Sequence, residues 1–409
     1  MTRAYALAAL SWTLLACKPA AAPGTQTPEP AGPSVVAADI DVSVNGTDEP
    51  KARAPENLQA LLDEVRRRSP VPGLAAAVVD VGGTLAIGVS GKRRADEPGD
   101  LTTADHFHLG SDTKAMTALL AAILVEDGVL RWEMTMAEAF PEDVDGMDPG
   151  FREVTLTQLL RHRGGVVPNV TDIVGLQVRL NAMPPEEHRR AIVREVLGQK
   201  PLSTPGSKFT YSNFGYVIVG AAIEKALGTT WEDAMRARVF GPLKMDSCGF
   251  GPTAVGAARD QPWAHVDQGD VFKPVELDNP AFLGPAGTVH CSLEDWGAFA
   301  SVFFEGSSFV SKASVDALTS AVPSDDNRGG GYALGWAVPD AAAFGLPVLT
   351  HDGSNTVNYA SIVVMPTLKA AVMVAANAGG ERAQKAVVAT VIELVRRVRG
   401  PEGDTQSDG

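Results

Sequence analysis

The chain of 409 residues carries 35 basic and 49 acidic side chains, a formal net charge of −14, with 45% hydrophobic and 21% charged residues. This balance suits a globular body and excludes a largely disordered chain, a collagen or a coiled coil. The length allows two or three domains or one large α/β enzyme domain. Surplus negative charge repels phosphate backbones, so no nucleic-acid partner is expected. No Cys or His cluster has the spacing of a zinc site, so no metal is expected either.

Residues 1–16 contain one basic residue, Arg3, and an apolar run that ends in Leu14-Leu15-Ala16 just before Cys17. A bilayer span takes about 20 apolar residues, so the run is too short to cross and has the length of a signal-peptide core. Leu14 to Cys17 resembles the bacterial lipobox, whose Cys becomes the lipidated first residue of the mature protein. The resemblance implies that 1–16 is a lipoprotein signal peptide and that Cys17 carries lipid. The chain is then exported and membrane-tethered, in the periplasm or at the cell surface. A cleaved secretory signal with a chance Cys is the alternative. Residues 17–55 are rich in Pro, Ala, Gly and Thr. They are read as a disordered tether with a root-mean-square span of about 35 Å. Residues 401–409 form a loose tail, which leaves 56–400 as the folded domain.

Within that domain Leu58, Leu61, Leu62 and Val65 mark one face of a helix over 56–68. Ser69-Pro70-Val71-Pro72-Gly73 stops it. The runs 74–81 and 84–89 around Gly82-Gly83 predict a hairpin. Helices are expected over 113–126, 156–161, 213–227 and 231–239, and strands over 332–338, 358–365 and 370–376. A long helix over 381–399 follows. Strands at both ends with helices between them do not alternate as parallel βαβ units require. The order predicts an α/β body: an antiparallel sheet built from both ends of the chain, flanked by helices, with an all-helical lobe inserted between.

Three segments carry groups able to do chemistry. Ser111-Asp112-Thr113-Lys114 opens the 113–126 helix. Residues three apart share a helix face, so Lys114 can reach back to Ser111. The helix start offers N–H groups and a positive dipole end to a developing oxyanion. A desolvated lysine can serve as the base. Alone, this segment reads better as a capping serine and a solvated lysine. In Tyr211-Ser212-Asn213, a buried phenol beside a lysine can carry a proton to a leaving group. The Asn amide can accept from Lys and donate to a carbonyl; an ordinary turn capped by Asn213 is the alternative. His351-Asp352-Gly353-Ser354 precedes the strand expected at Asn358. Gly353 lets a substrate lie close to a strand edge, and the Ser354 N–H can donate to an oxyanion. A tight turn before a strand is the bland reading.

Taken in order, these segments resemble the serine β-lactamase-like family, which includes class C β-lactamases, D-Ala-D-Ala carboxypeptidases, D-aminopeptidases and a group of carboxylesterases. The family's IGS-x-x-K stretch is matched by Leu109-Gly110-Ser111-Asp112-Thr113-Lys114. Its ITxxxLLxHTSG stretch is matched from Val154 to His162, its PGxxFxYSNxGYxxLG stretch from Pro205 to Gly220, and its GPAGG loop by Gly284-Pro285-Ala286-Gly287. The H-x-G variant of the third motif is matched by His351-Asp352-Gly353. The resemblance runs from about Leu58 to Arg397. It implies the family's β-lactamase-like serine hydrolase fold, with the site between sheet and helical lobe. It also implies that Ser111 is the acylated nucleophile, that Lys114 and Tyr211 share the base and acid work, and that Asn213 positions Lys114 and substrate. The N–H groups of Ser111 and Ser354 would form the oxyanion hole, and His351 would line the pocket across from Tyr211. No metal or cofactor is implied.

Two departures stand out. His351-Asp352 occupies the place where penicillin-recognising members carry Lys-Thr or Lys-Ser, and Arg163-Gly164-Gly165 occupies the place of Thr-Ser-Gly. A neutral His is a poor anion partner, and an Asp facing the pocket would repel a carboxylate. The expected function is therefore a serine hydrolase that forms an acyl-enzyme with a small ester, amide or D-amino-acid peptide. A β-lactamase or D-Ala-D-Ala carboxypeptidase is the first alternative, and a catalytically retired binding or scaffold protein the second. Cys248 and Cys291 are the only cysteines of the body. In an oxidising compartment they can bridge, and the sequence leaves open whether they do. His106 and His108 read as scaffold, His162 as a structural histidine, Trp336 as core and Trp263 as core or pocket wall. The role of His265 stays open.

Overall fold

The computed structural model describes residues 52–169, 173–184, 187–323, 325 and 330–400. The expected signal peptide, Cys17, nearly all of the tether and the 401–409 tail lie outside the described residues. Helix α1 (Leu58–Arg68) buries Leu58, Leu62 and Val65 and runs into the hairpin β1 (Gly73–Asp80) and β2 (Gly83–Gly91). A short strand β3 (His106–His108) leads to helix α2 (Thr113–Glu126). The lobe that follows contains α3 (Leu156–Leu160), α4 (His188–Leu197) and α5 (Asn213–Leu227). After it come β4 (Gly249–Phe250), β5 (Ala264–Asp267), β6 (Phe272–Val275), β7 (Val289–Ser292) and helix α6 (Leu293–Ser301). The chain closes with β8 (Val322–Pro323), β9 (Gly331–Tyr332), β10 (Ala337–Val338), β11 (Leu349–Ser354), β12 (Tyr359–Met365), β13 (Ala370–Ala376) and helix α7 (Glu381–Arg399).

The main sheet has eight strands in the order β2-β1-β13-β12-β11-β10-β9-β8, with antiparallel neighbours throughout. β1 pairs with β13 from Leu74↔Ala376 to Asp80↔Ala370, which joins the two ends of the folded domain within one sheet. β1, β12 and β13 read as unbroken apolar runs because both of their faces are covered. Leu74, Ala76 and Val78 pack with α1 and α7 residues, while Ala75, Ala77 and Val79 pack with α2 and α6 residues. Period-two alternation thus feeds two cores from one strand. On α7, Ala383, Ala386, Val387, Thr390, Val391, Leu394, Val395 and Val398 form the buried stripe. Each fully buried Val or Leu contributes about 1.5–3 kcal/mol. Helix α2 has buried residues on every side, as a helix held between sheet and lobe must.

Three local readings differ from the sequence expectation. Residues 332–338 are not one strand: β9 and β10 fold back on each other with Ala337↔Tyr332 in register. Gly335 turns there with φ 83°, and a Cβ on it would lie 2.7 Å from the Ala115 Cα. The His351 segment is itself strand β11, paired from Leu349↔Val364 to Ser354↔Tyr359, rather than a turn before a strand. The 231–239 helix is α-helical over Trp231–Met235 and continues as a π-turn over Arg236–Phe240.

A second sheet, β3-β7-β4, supports the segment ahead of Ser111. The Leu109 N–H donates to Val289 O at 2.9 Å, and the Val289 N–H donates to Thr113 Oγ1 at 3.1 Å. Gly249 pairs with His290, which sets Cys248 opposite Cys291; the two are disulfide-bonded with Cα atoms 4.2 Å apart. The bond spans a sequence separation of 43 residues, and the chain-entropy model gives such a closure about 4 kcal/mol. Reduction is expected to lower the unfolding free energy by about 2–4 kcal/mol, measured by urea denaturation with and without reductant. An unchanged midpoint would contradict this role.

Candidate active site

β3 delivers the chain to a 3-10 turn, Gly110–Asp112, that carries Ser111 directly into α2. Strand β11 lies against this turn so closely that only glycine fits on either side. A Cβ on Gly353 would sit 1.8 Å from Leu109 O and 2.9 Å from Ser111 N, and one on Gly110 would sit 2.4 Å from Ser354 N. Gly110 also needs its φ of 53°, which glycine adopts without strain. The contact brings the backbone nitrogens of Ser111 and Ser354 alongside one another.

At the second residue of α2, Lys114 is fully buried. Its Nζ lies 2.9 Å from Ser111 Oγ, 2.8 Å from Asn213 Oδ1 and 2.7 Å from Ala286 O. Burial pushes its pKa well below the ordinary lysine range, while the charge of Asp112 pulls the other way. A neutral amine has two protons and one lone pair. The amide oxygen of Asn213 and the carbonyl of Ala286 can only accept, so they take the two protons. The lone pair is left facing the Ser111 hydroxyl, which is the geometry of a general base.

Tyr211 stands beside this group, with Lys114 Nζ 4.8 Å from its ring centroid. Burial raises the Tyr211 pKa and a side-chain hydrogen bond with Ser111 opposes the rise, so the phenol keeps its proton at neutral pH. The Ser212 hydroxyl accepts from the Gly215 N–H and donates to Val167 O at 2.6 Å, so Ser212, not Asn213, caps α5. Asn213 Nδ2 donates to Asn169 Oδ1 at 2.9 Å. Tyr211, Tyr216 and Tyr332 surround the His162 ring at centroid distances of 4.2, 5.3 and 4.7 Å. His162 has φ 57°, and its Nδ1 accepts from the Ser212 N–H at 3.1 Å. It therefore holds the turn that presents Tyr211.

His351 faces Tyr211 with ring centroids 6.5 Å apart. Its Nδ1 lies 2.9 Å from Asp352 O and 3.2 Å from Asp112 Oδ1, and its Nε2 lies 3.0 Å from the Tyr332 hydroxyl. A carbonyl oxygen can only accept, so the proton sits on Nδ1 and Nε2 accepts from Tyr332. Burial pushes His351 down to about 3. Both ring nitrogens of a neutral imidazole are thus engaged within the protein. Asp352, next along β11, points to the other face of the sheet, where Tyr359 donates to its Oδ2 at 3.2 Å. It does not oppose Tyr211 across the pocket.

The second departure has a structural role. Arg163 is buried, and its Nη2 donates to Pro323 O at 2.8 Å and to Asp325 Oδ1 at 2.9 Å. Asp325 Oδ2 in turn accepts from the Phe209 N–H at 2.7 Å. The residue ties the lobe, just ahead of Tyr211, to the sheet edge at β8. Behind the nucleophile, His108 Nδ1 accepts from the Gly110 N–H at 3.1 Å and its Nε2 faces Asp278 Oδ1 at 2.9 Å. His106 stacks on His290 at 5.9 Å. His265 is a pin, with Nε2 accepting from the Ala95 N–H at 3.0 Å and Nδ1 2.8 Å from Asn377 O. Trp336 is core beside Phe299 and Phe303, and Trp263 is buried under Arg94. The structure brings Ser111, Lys114, Tyr211, Asn213, His351, Gly353 and Ser354 together. Sequence reasoning missed Tyr332 and the carbonyl of Ala286, and it gave Asp112 no role. Asp112 carried a signal, as the acid inside S-x-x-K. Tyr332 carried none.

The fold and this Ser-Lys-Tyr arrangement define a serine-nucleophile acyl-transfer site. The chain belongs to the Beta-lactamase family, whose family model matches residues 58–396. It is 27% identical over 322 residues to the unguisins hydrolase ungD' of Aspergillus campestris, covering 75% of this chain and 58% of that one. It is also 27% identical over 321 residues to penicillin-binding protein 4 of Amycolatopsis lactamdurans, covering 75% and 81%. The crystal structure of SurE superposes with a TM-score of 0.69 at 25% identity, covering 84% of this chain and 76% of that one, and SurE has also been solved with D-Leu.

The buried imidazoles make stability depend on pH. Burial holds His162 well below the ordinary His range, His351 at about 3 and His290 at about 4. Below pH 6.5 the unfolded chain takes up protons that these folded histidines refuse, so their contribution is lost as pH falls. Burial raises the Asp112 pKa, which acts in the opposite sense in the same window. Lys114, which burial also keeps from its proton, acts with the three histidines, and Asp352, raised by burial, acts with Asp112, so the unfolding free energy is expected to fall between pH 6 and 5. Urea denaturation at the two pH values tests it, and a flat profile would contradict the buried neutral state.

Proposed function

We propose that the chain is a serine hydrolase working through an acyl-enzyme. Ser111 Oγ attacks the substrate carbonyl as its proton passes to Lys114 Nζ. The oxyanion takes the N–H groups of Ser111 and Ser354, the latter reached past Gly353. The proton held by Lys114 then travels through the Tyr211 hydroxyl to the leaving group, and water repeats the sequence to release the acid. Asn213 orients Lys114 and offers its amide to the substrate. The observation that carries the reading is the set of three oxygens around Lys114 Nζ, at 2.9, 2.8 and 2.7 Å.

The substrate class follows from the wall opposite Tyr211. His351 spends both nitrogens on Asp112, Asp352 O and Tyr332, so it has no N–H left for a substrate carboxylate. A small ester or amide with a neutral acyl group, including D-amino-acid derivatives, suits this wall better than a penicillin. The similarity to a hydrolase and to a protein solved with D-Leu supports the same choice. The lipobox-like Leu14 to Cys17 supports a membrane-tethered exported lipoprotein, placing the reaction in the periplasm or at the cell surface.

Turnover of a short-chain p-nitrophenyl ester is expected to fall by at least about 10³-fold in Ser111→Ala and in Lys114→Ala. Intact mass after incubation with benzylpenicillin is expected to show no stable adduct. A penicillin adduct that is lost in Ser111→Ala would move the assignment to a penicillin-binding peptidase. Absence of both turnover and adduct would favour a binding protein.

A further inference from the structure

The carbonyl of Ala286 fixes one of the two protons of neutral Lys114, and what fixes that carbonyl lies in the lobe. Gly284–Gly287 is a single helical turn that follows a 3-10 turn over Ala281–Leu283. Arg189, at the start of α4 and buried, donates to the first turn twice: Nη2 to Ala281 O at 3.0 Å and Nε to Phe282 O at 3.2 Å. Its guanidinium is itself held by Glu224 of α5 and by Glu232. A Cβ on Gly284 would lie 2.6 Å from Arg189 Nη2, so this cation packs directly under the turn. One helical turn before Glu224, α5 presses Gly220 against Pro285, where a Cβ would lie 2.3 Å from Pro285 Cγ. Thr117 donates to Pro285 O at 2.7 Å, one helical turn from Lys114.

We propose that Arg189 is a positioning residue for the general base, acting through the 281–287 turn to hold Ala286 O against Lys114 Nζ. Arg189 meets no reacting atom. It supplies the fixed charge that helps a segment with no polar side chain of its own keep its place. A free lysine would supply two protons in any orientation. Only with Ala286 O and Asn213 Oδ1 both in place does the lone pair stay on Ser111.

The sign of the pH effect is set by the two protonation states of Lys114. The ammonium uses all three acceptors, and losing one leaves a charged N–H unpaired in a buried site. The neutral amine loses a weaker bond. Releasing Ala286 O therefore lowers the pKa of Lys114 and also frees its lone pair to turn away. The charged and titratable groups facing Lys114 are Asp112, His162, Tyr211, Tyr216 and His351, and none of them is touched by the change.

The proposal rests on the hydrolase reading above, and the test keeps the two apart. Wild type, Arg189→Gln, Arg189→Lys and Gly220→Ala are compared with a p-nitrophenyl ester, with rates normalised to enzyme that retains the native circular-dichroism signal. Failure of wild type to turn over the ester sinks the hydrolase reading. The pH dependence of Ser111 phosphonylation by a fluorophosphonate, read by intact mass, then still tests the positioning. Arg189→Gln is expected to lower kcat at the plateau about tenfold or more with little change in KM, and to move the acid limb to lower pH. Arg189→Lys should recover part of both. Gly220→Ala keeps Arg189, Glu224 and Glu232 and displaces the same turn at Pro285, so it should reproduce both effects. An acid limb that stays in place in Arg189→Gln and Gly220→Ala, with kcat per folded enzyme unchanged, would overturn the proposal and leave Arg189 a structural ion pair.

Discussion

Two oxygens that can only accept, Asn213 Oδ1 and Ala286 O, hold the buried amine of Lys114 at 2.8 and 2.7 Å. In water that amine would carry a proton and point anywhere. Here burial removes the charge and the two acceptors remove the rotational freedom, so the lone pair meets the Ser111 hydroxyl. Each acceptor comes from a different part of the molecule: Asn213 opens α5 in the lobe, and Ala286 belongs to the turn ahead of β7. Lys114 and Ser111 come from the helix wedged between lobe and sheet. The all-round burial of α2, which looks like excess hydrophobicity in the sequence, is the condition for a basic lysine at neutral pH.

The opposite wall follows a different logic. The position that often carries a cation in penicillin-recognising relatives carries an imidazole closed in on itself by Asp112, Asp352 O and Tyr332. The site therefore contains a strong nucleophile system and a pocket wall without an anchor for an anion. Specificity in such a site comes from shape and from small differences in burial, which favours neutral acyl groups over carboxylates.

Much of this was legible in the residues. The S-x-x-K and Y-x-N segments and the Gly353 strand edge pointed to the site because their chemistry is local. Ser111 and Lys114 lie three residues apart, and Tyr211 and Asn213 two apart. The antiparallel sheet was legible because strands at both ends of the chain with helices between them do not alternate as parallel βαβ units do. β11 was hidden because His351, Asp352 and Ser354 break its apolar alternation, which the site requires. Residues 332–338 looked like one strand because the turn at Gly335 has no polar marker; packing against Ala115 makes it. Tyr332 and Ala286 O stayed invisible because their roles depend on contacts between distant segments, and a backbone carbonyl has no signature in a sequence. Arg163 departs from the family pattern for a reason that only the approach of Pro323 and Asp325 reveals.

The central claim is that Lys114 is neutral in the resting enzyme, and its side-chain nitrogen can be observed directly. Nitrogen-15 NMR of protein labelled in lysine, with Lys114→Met to assign the signal, would follow Nζ from pH 5 to 10. The account predicts a Lys114 resonance with the shift of a neutral amine at pH 7. A Lys114 signal that remains an ammonium through pH 9 would contradict it and remove the base from the mechanism.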